Sequence, residues 1–153
     1  METAARVSHL KSALHLTAGV LLLGYAVSHV GFLTIPDFEH NLRNTVFPFL
    51  TNRTLYVLAC VLETFTGFIC IIFRGKDRIN VVILTFIGMM SWYRWAFYYT
   101  GGSSCSCLGL FGTLFHLTQT QEKIIPIASL IWLFATTTPW LFDLLASKLI
   151  KPR

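Results

Sequence analysis

The chain has 153 residues, of which 54% are hydrophobic and only 12% charged, and its mean hydropathy is +0.63. A soluble domain carries about a quarter charged residues, so this composition excludes an ordinary soluble fold and points to the membrane. The net charge of +5 is modest, and apart from Arg94 the basic residues fall outside the apolar runs. Loop charges facing lipid headgroups have that distribution, and nothing resembles the basic stripe or stacking platform that nucleic acid requires.

Four apolar runs follow in chain order, at 12–35, 54–73, 79–100 and 124–146. A bilayer core of about 30 Å needs about 20 apolar residues in a helix, so each run is long enough to span. The expected fold is all-α, a single transmembrane domain over 1–153 built as an integral membrane four-helix bundle. The first run follows Arg6 and Lys11, as in a signal peptide. It is too long for such a peptide's apolar region and ends at Ile35 and Pro36 without a small-residue cleavage pattern, so it reads as a retained helix. In the fourth run, Pro126 and Pro139 are expected to shape the helix, with Thr136, Thr137 and Thr138 available to the backbone groups that proline frees.

Orientation follows from the basic residues. Arg6, Lys11, Arg74, Lys76, Arg78, Lys148, Lys151 and Arg153 share one side of a four-span bundle, whereas the other side has Arg43, Arg53 and Lys123. The positive-inside rule puts the first group in the cytoplasm, with both termini inside and the third-to-fourth loop outside. In the first outer loop Phe38, Leu42 and Val46 recur every four residues, which predicts a short interfacial helix stopped near Pro48. Leu110, Phe111, Leu114 and Phe115 predict a second one, the two together lying over the outer mouth of the bundle.

The outer loop after the third span reads GGSSCSCLGLFG, with Cys105 and Cys107 one residue apart. On the oxidising side of a membrane a disulfide forms and persists. Bridging residues i and i+2 requires a tight turn at Ser106, and the flanking glycines supply the backbone freedom for one. Such a bond is strained and exchange-prone, a reagent rather than a staple, since a loop so small removes little unfolded-state entropy. Two alternatives stand beside this reading. A metal site would take His116 as third ligand and lacks a fourth, and the other alternative is two unrelated structural cysteines. Cys60 and Cys70, ten residues apart on one helix and so about 15 Å, cannot bridge each other. Cys60 belongs to the outer half of its helix, and Cys70 reads as a small packing residue near the inner end.

Three charged or titratable groups fall deep within the spans, whereas His15 and Asp143 lie near the span ends and read as interface residues. Glu63 is expected about 13 Å below the outer surface, and Arg94 and His29 about 9 Å, from the helical rise. Such groups turn to the bundle interior and pair, which suggests a Glu63–Arg94 ion pair with His29 as a proton carrier. The alternative for Arg94 is outward snorkelling within the belt of Trp92, Tyr93, Trp95, Tyr98 and Tyr99.

The intramembrane glutamate in LETFTG, the arginine near the outer end of the third span and the CSCLGLFG loop together resemble the MauE/DoxX superfamily of small redox-associated membrane proteins. The likeness is nearer to the methylamine-utilisation branch, whose loop reads like CGCFG. Ser106 stands here for the middle glycine, and His29 stands where members often carry a lysine. The resemblance implies a membrane thiol–disulfide redox or maturation factor in the bacterial inner membrane. It would exchange disulfides with a periplasmic thioredoxin-like or disulfide-containing client, as in methylamine dehydrogenase biogenesis. Cys105 and Cys107 would react, and Glu63, Arg94 and His29 would support them by stabilising a thiolate or managing protons. No cofactor is evident from the residues, and a quinone is the one the DoxX branch suggests. The alternative function is a non-catalytic subunit or scaffold of a quinone-linked complex. A small transporter ranks behind both, because broken helices in matched halves are missing.

Overall fold

The structure is a computed structural model, described over residues 2–35, 42–100 and 110–149. It contains five helices: α1 (Glu2–Leu33), α2 (Asn52–Ile72), α3 (Arg78–Tyr99), α4 (Leu110–Leu114) and α5 (Gln119–Leu149). All but α4 contain a stretch long and apolar enough to cross a bilayer, at Ser8–Leu33, Asn52–Ile72, Arg78–Tyr99 and Thr120–Leu145. The chain is therefore an all-α, four-helix bundle of membrane type. Large apolar side chains such as Val27, Val61, Phe65, Ile131 and Phe142 point outward, as a lipid-facing surface requires.

The tightest packing is between α1 and α2. Between helices in lipid, association rests on van der Waals contact, so small residues that let backbones approach are what hold them. Gly19 and Gly67 meet at the crossing: a Cβ on Gly19 would lie 2.6 Å from Ile71 Cγ1 and 2.8 Å from the Gly67 carbonyl. Around this crossing Ala18, Leu22, Cys70, Ile79, Ile83, Phe86 and Leu133 form a buried apolar cluster. Cys70 is the packing residue its position suggests.

The end of the bundle that carries the termini is fastened by polar groups. Lys11 Nζ bonds Asp143 at 2.9 Å and Asp77 at 3.4 Å, joining α1 to α5 and to the α2–α3 turn. Deeper, the buried His15 accepts at Nδ1 from the Gly75 backbone N–H (3.1 Å), which leaves Nε2–H to donate to Asn80 Oδ1 (3.0 Å). The turn itself needs Gly75, whose φ is +84°.

α5 contains both prolines. Pro139 cannot donate to the Ala135 carbonyl, and the Thr138 hydroxyl does so instead at 2.7 Å. Thr136 and Thr137 likewise bond the Leu133 and Phe134 carbonyls. The expected use of these threonines is therefore met at Thr138, because the Leu133 and Phe134 carbonyls are not the ones a proline frees.

The outer connections differ from each other. α4 forms where the second interfacial helix is predicted. In the first connection the described part, residues 42–51, is not helical. Arg43 and Thr51 form an antiparallel bridge, and Phe47 to Leu50 close a turn whose second residue is Pro48, with the Leu50 N–H on the Phe47 carbonyl at 2.9 Å. Asn44 accounts for the departure from the fourfold pattern. Its Oδ1 accepts from the N–H groups of Val46 and Phe47, an arrangement that competes with a helix. The predicted helical residues 37–41 lie outside the described residues.

Candidate functional site: a polar trio in a lateral cavity

Away from the fastened end, the four long helices part around a cavity of about 740 Å³. α1 contributes Leu22, Tyr25, His29 and Phe32 to it, and α2 contributes Tyr56, Ala59 and Glu63. α3 adds Phe86, Met90, Tyr93 and Arg94, and α5 adds Pro126, Ser129 and Leu133. Leu58 and Leu62 of α2, and Met89 and Trp92 of α3, line it while being exposed themselves, so it opens sideways between α2 and α3. These two helices are joined by the short turn at the fastened end and diverge from it.

The three intramembrane ionisable residues all line this cavity. The partnership differs from the expected one. Glu63 Oε2 lies 2.8 Å from His29 Nδ1, and the two residues are 3% and 4% exposed. Counting helical rise gives a residue's depth and not its direction around the helix, and it is the tight α1–α2 crossing that turns His29 and Glu63 to each other. The contact joins a group that can bind a proton to one that can release it, at hydrogen-bonding distance. The His29 ring is flanked by Tyr25 and Tyr56, with ring centroids 6.5 and 5.8 Å away.

Arg94 is not the partner of Glu63. Its two terminal guanidinium nitrogens are enclosed and have no hydrogen-bond partner among the described residues. Neither does it snorkel outward, since enclosed nitrogens do not reach water. The remaining polar groups of the cavity are satisfied. The Ser129 hydroxyl donates to the Ile125 carbonyl at 2.9 Å, so the Tyr25 hydroxyl donates to Ser129 Oγ at 2.7 Å.

Asn44 is a site-building residue that the sequence reading overlooked. It is 3% exposed, and its Nδ2 donates to Asn52 Oδ1 (2.9 Å) and to the Tyr93 hydroxyl (3.0 Å). Through it the first outer connection is tied across the cavity roof to the start of α2 and to α3. Phe47 stacks on Tyr93 beneath it, with centroids 6.3 Å apart and planes at 7°. An Asn shortly before a Phe-Pro pair is a signal for the local turn, and only for that.

Cys105 and Cys107 lie outside the described residues. The segment that carries them begins at Thr100 and ends at Leu110, and both anchors belong to the cavity end of the bundle. Leu110 packs onto Gly31, where a Cβ would come within 2.5 Å of Leu110 Cδ2, and the Phe111 N–H donates to Ser28 Oγ at 3.0 Å. Ser28 and His29 are neighbours in α1, so the exit from the cysteine segment is pinned one residue from the His–Glu pair. Cys60 is half-buried on α2, its thiol 3.6 Å from the Ala26 carbonyl. Among the described residues no group of three or more His, Cys, Asp and Glu side chains is placed to hold a metal ion. No family model, no curated protein and no solved structure matches this chain.

Proposed function

We propose that the chain is an integral-membrane thiol–disulfide redox or maturation factor, exchanging disulfides with an extracytoplasmic client through Cys105 and Cys107. The observation that carries this reading is the buried His29–Glu63 pair, set beside the anchor of the cysteine segment. In the exchange, a client thiolate attacks one sulfur of the Cys105–Cys107 disulfide and the other sulfur leaves as thiolate. The client's second thiolate then attacks the mixed disulfide, so that the client is oxidised and the loop is left as a dithiol. Two protons pass from client to loop, and the His29–Glu63 pair is a group that can hold and return one of them. The fixed charge of Arg94 on the same side favours a loop thiolate. The setting is the bacterial inner membrane with both termini in the cytoplasm, in keeping with the basic-residue bias and with the resemblance to the methylamine-utilisation branch.

The test is trapping in intact cells. Cys105→Ser and Cys107→Ser variants are expected to accumulate a mixed disulfide with a thioredoxin-like or disulfide-rich client, and the double variant none. Absence of any adduct, with a loop that alkylation finds in one fixed redox state, would overturn the exchange role.

A second reading is favoured by one specific observation, the sideways opening of an apolar cavity. Under it the chain is a non-catalytic membrane subunit of a quinone-linked complex. A quinone carbonyl is an acceptor for Arg94 and its ring suits the aromatic lining, but a neutral head leaves the charge of Arg94 uncompensated.

A further inference from the structure

Among the described residues, His29, Glu63 and Arg94 are the cavity-lining side chains of acidic or basic type. His29 and Glu63 bond each other, so the Glu63 carboxyl is not hydrogen-bonded to Arg94. That leaves the positive charge of Arg94, with both terminal nitrogens enclosed and unbonded among the described residues. A buried cation without a partner is costly, and the cost is relieved when an anion with good acceptor geometry arrives. The rest of the wall is apolar or already hydrogen-bonded. The opening is lateral, between Leu58 and Leu62 on one helix and Met89 and Trp92 on the other, at membrane depth. A ligand therefore enters from the bilayer.

We propose that this cavity binds an anionic amphiphile drawn from the membrane, its head group on Arg94 and its hydrocarbon in the gap between α2 and α3. Because both terminal nitrogens are enclosed, binding on this reading requires the guanidinium to rotate about its terminal torsions toward the head group. Long-chain carboxylates and phosphate-headed lipids share this chemistry. The proposal does not depend on the cysteine loop.

Gly88 provides a way to block the site without disturbing the fold. It lines the cavity, and a Cβ built there meets nothing within 4 Å. Gly88→Leu places side-chain bulk in the opening while improving helix propensity in α3.

The experiment is native mass spectrometry of the delipidated full chain in detergent, titrated separately with oleate, oleyl alcohol, dioleoyl phosphatidic acid and a decyl-chain quinone. Oleate or phosphatidic acid is expected to bind at least about tenfold more tightly than oleyl alcohol, as loss of a charge-assisted hydrogen bond implies. Which of the two binds identifies the source, a free fatty acid or a phospholipid. Arg94→Gln is expected to abolish that preference, Arg94→Lys to retain part of it, and Gly88→Leu to remove binding while the protein remains folded. Equal binding of oleate and oleyl alcohol would overturn the proposal, as would preferential binding of the quinone, no binding of either anion, or Gly88→Leu binding as the parent does. Should Arg94→Gln fail to fold, the alcohol comparison and the Gly88 variant still decide the matter.

Discussion

At the scale of single residues, loss of the His29–Glu63 contact is costly, because both groups are buried away from water. Glu63→Ala leaves a buried imidazole facing an empty space, and removing one partner of such a pair costs about 3 kcal/mol. Glu63→Gln keeps an acceptor opposite Nδ1 and is expected to cost about 1 kcal/mol, the scale of an interhelical hydrogen bond in lipid. Unfolding in mixed detergent micelles, monitored by circular dichroism, measures both, and equal losses for the two variants would contradict the pairing. The presence of these groups is legible in the sequence, since ionisable residues inside apolar runs are conspicuous. Their pairing is not legible, because a depth fixes two groups to one layer of the membrane and leaves their rotation open. Asn44 is harder still, since its role depends on Tyr93, a residue far along the chain that no local pattern ties to it.

At the scale of elements, the spans are legible because a helix in lipid has no alternative way to satisfy its backbone, and apolar length then fixes its extent. The first outer connection is not, for the opposite reason. A fourfold apolar spacing is only a preference, and at residues 42–51 the side chain of Asn44 and the ring of Pro48 offer the backbone better partners. The α1–α2 crossing makes a sharp prediction about glycines. Gly19→Ala forces a methyl to within 2.6 Å of Ile71 and 2.8 Å of the Gly67 carbonyl, so the helices must separate, at a cost of about 1–3 kcal/mol. Gly24→Ala, in the same helix with nothing within 4 Å of the new methyl, is expected to be neutral or stabilising by up to about 1 kcal/mol. Thermal unfolding of the two variants side by side checks the contrast, and a tolerated Gly19→Ala would rule out the close crossing.

At the scale of the whole molecule, the bundle is fastened at one end and open at the other. Lys11, Asp77 and Asp143, with His15, Gly75 and Asn80 behind them, hold α1, α3 and α5 to the α2–α3 turn. The helices that share this fastening diverge toward the cavity. In the proposed orientation the fastened end faces the cytoplasm, and labelling tests that proposal. After reduction, a membrane-impermeant maleimide applied to intact cells is expected to modify Cys105 and Cys107 and to spare a cysteine introduced at Lys148. Labelling at Lys148→Cys with protection of the loop would invert the topology and remove the basis for disulfide chemistry there.

The glycine crossing also has a consequence for timing. Gly19 and Gly67 belong to α1 and α2, which leave the ribosome before α3 and α5, so their hairpin can close while those later helices are still being made. α3 and α5 then assemble against a finished template, and the cavity comes into being only at that second step. A fault at either glycine is therefore expected to reach the cavity as well, lowering the yield of folded protein alongside its stability.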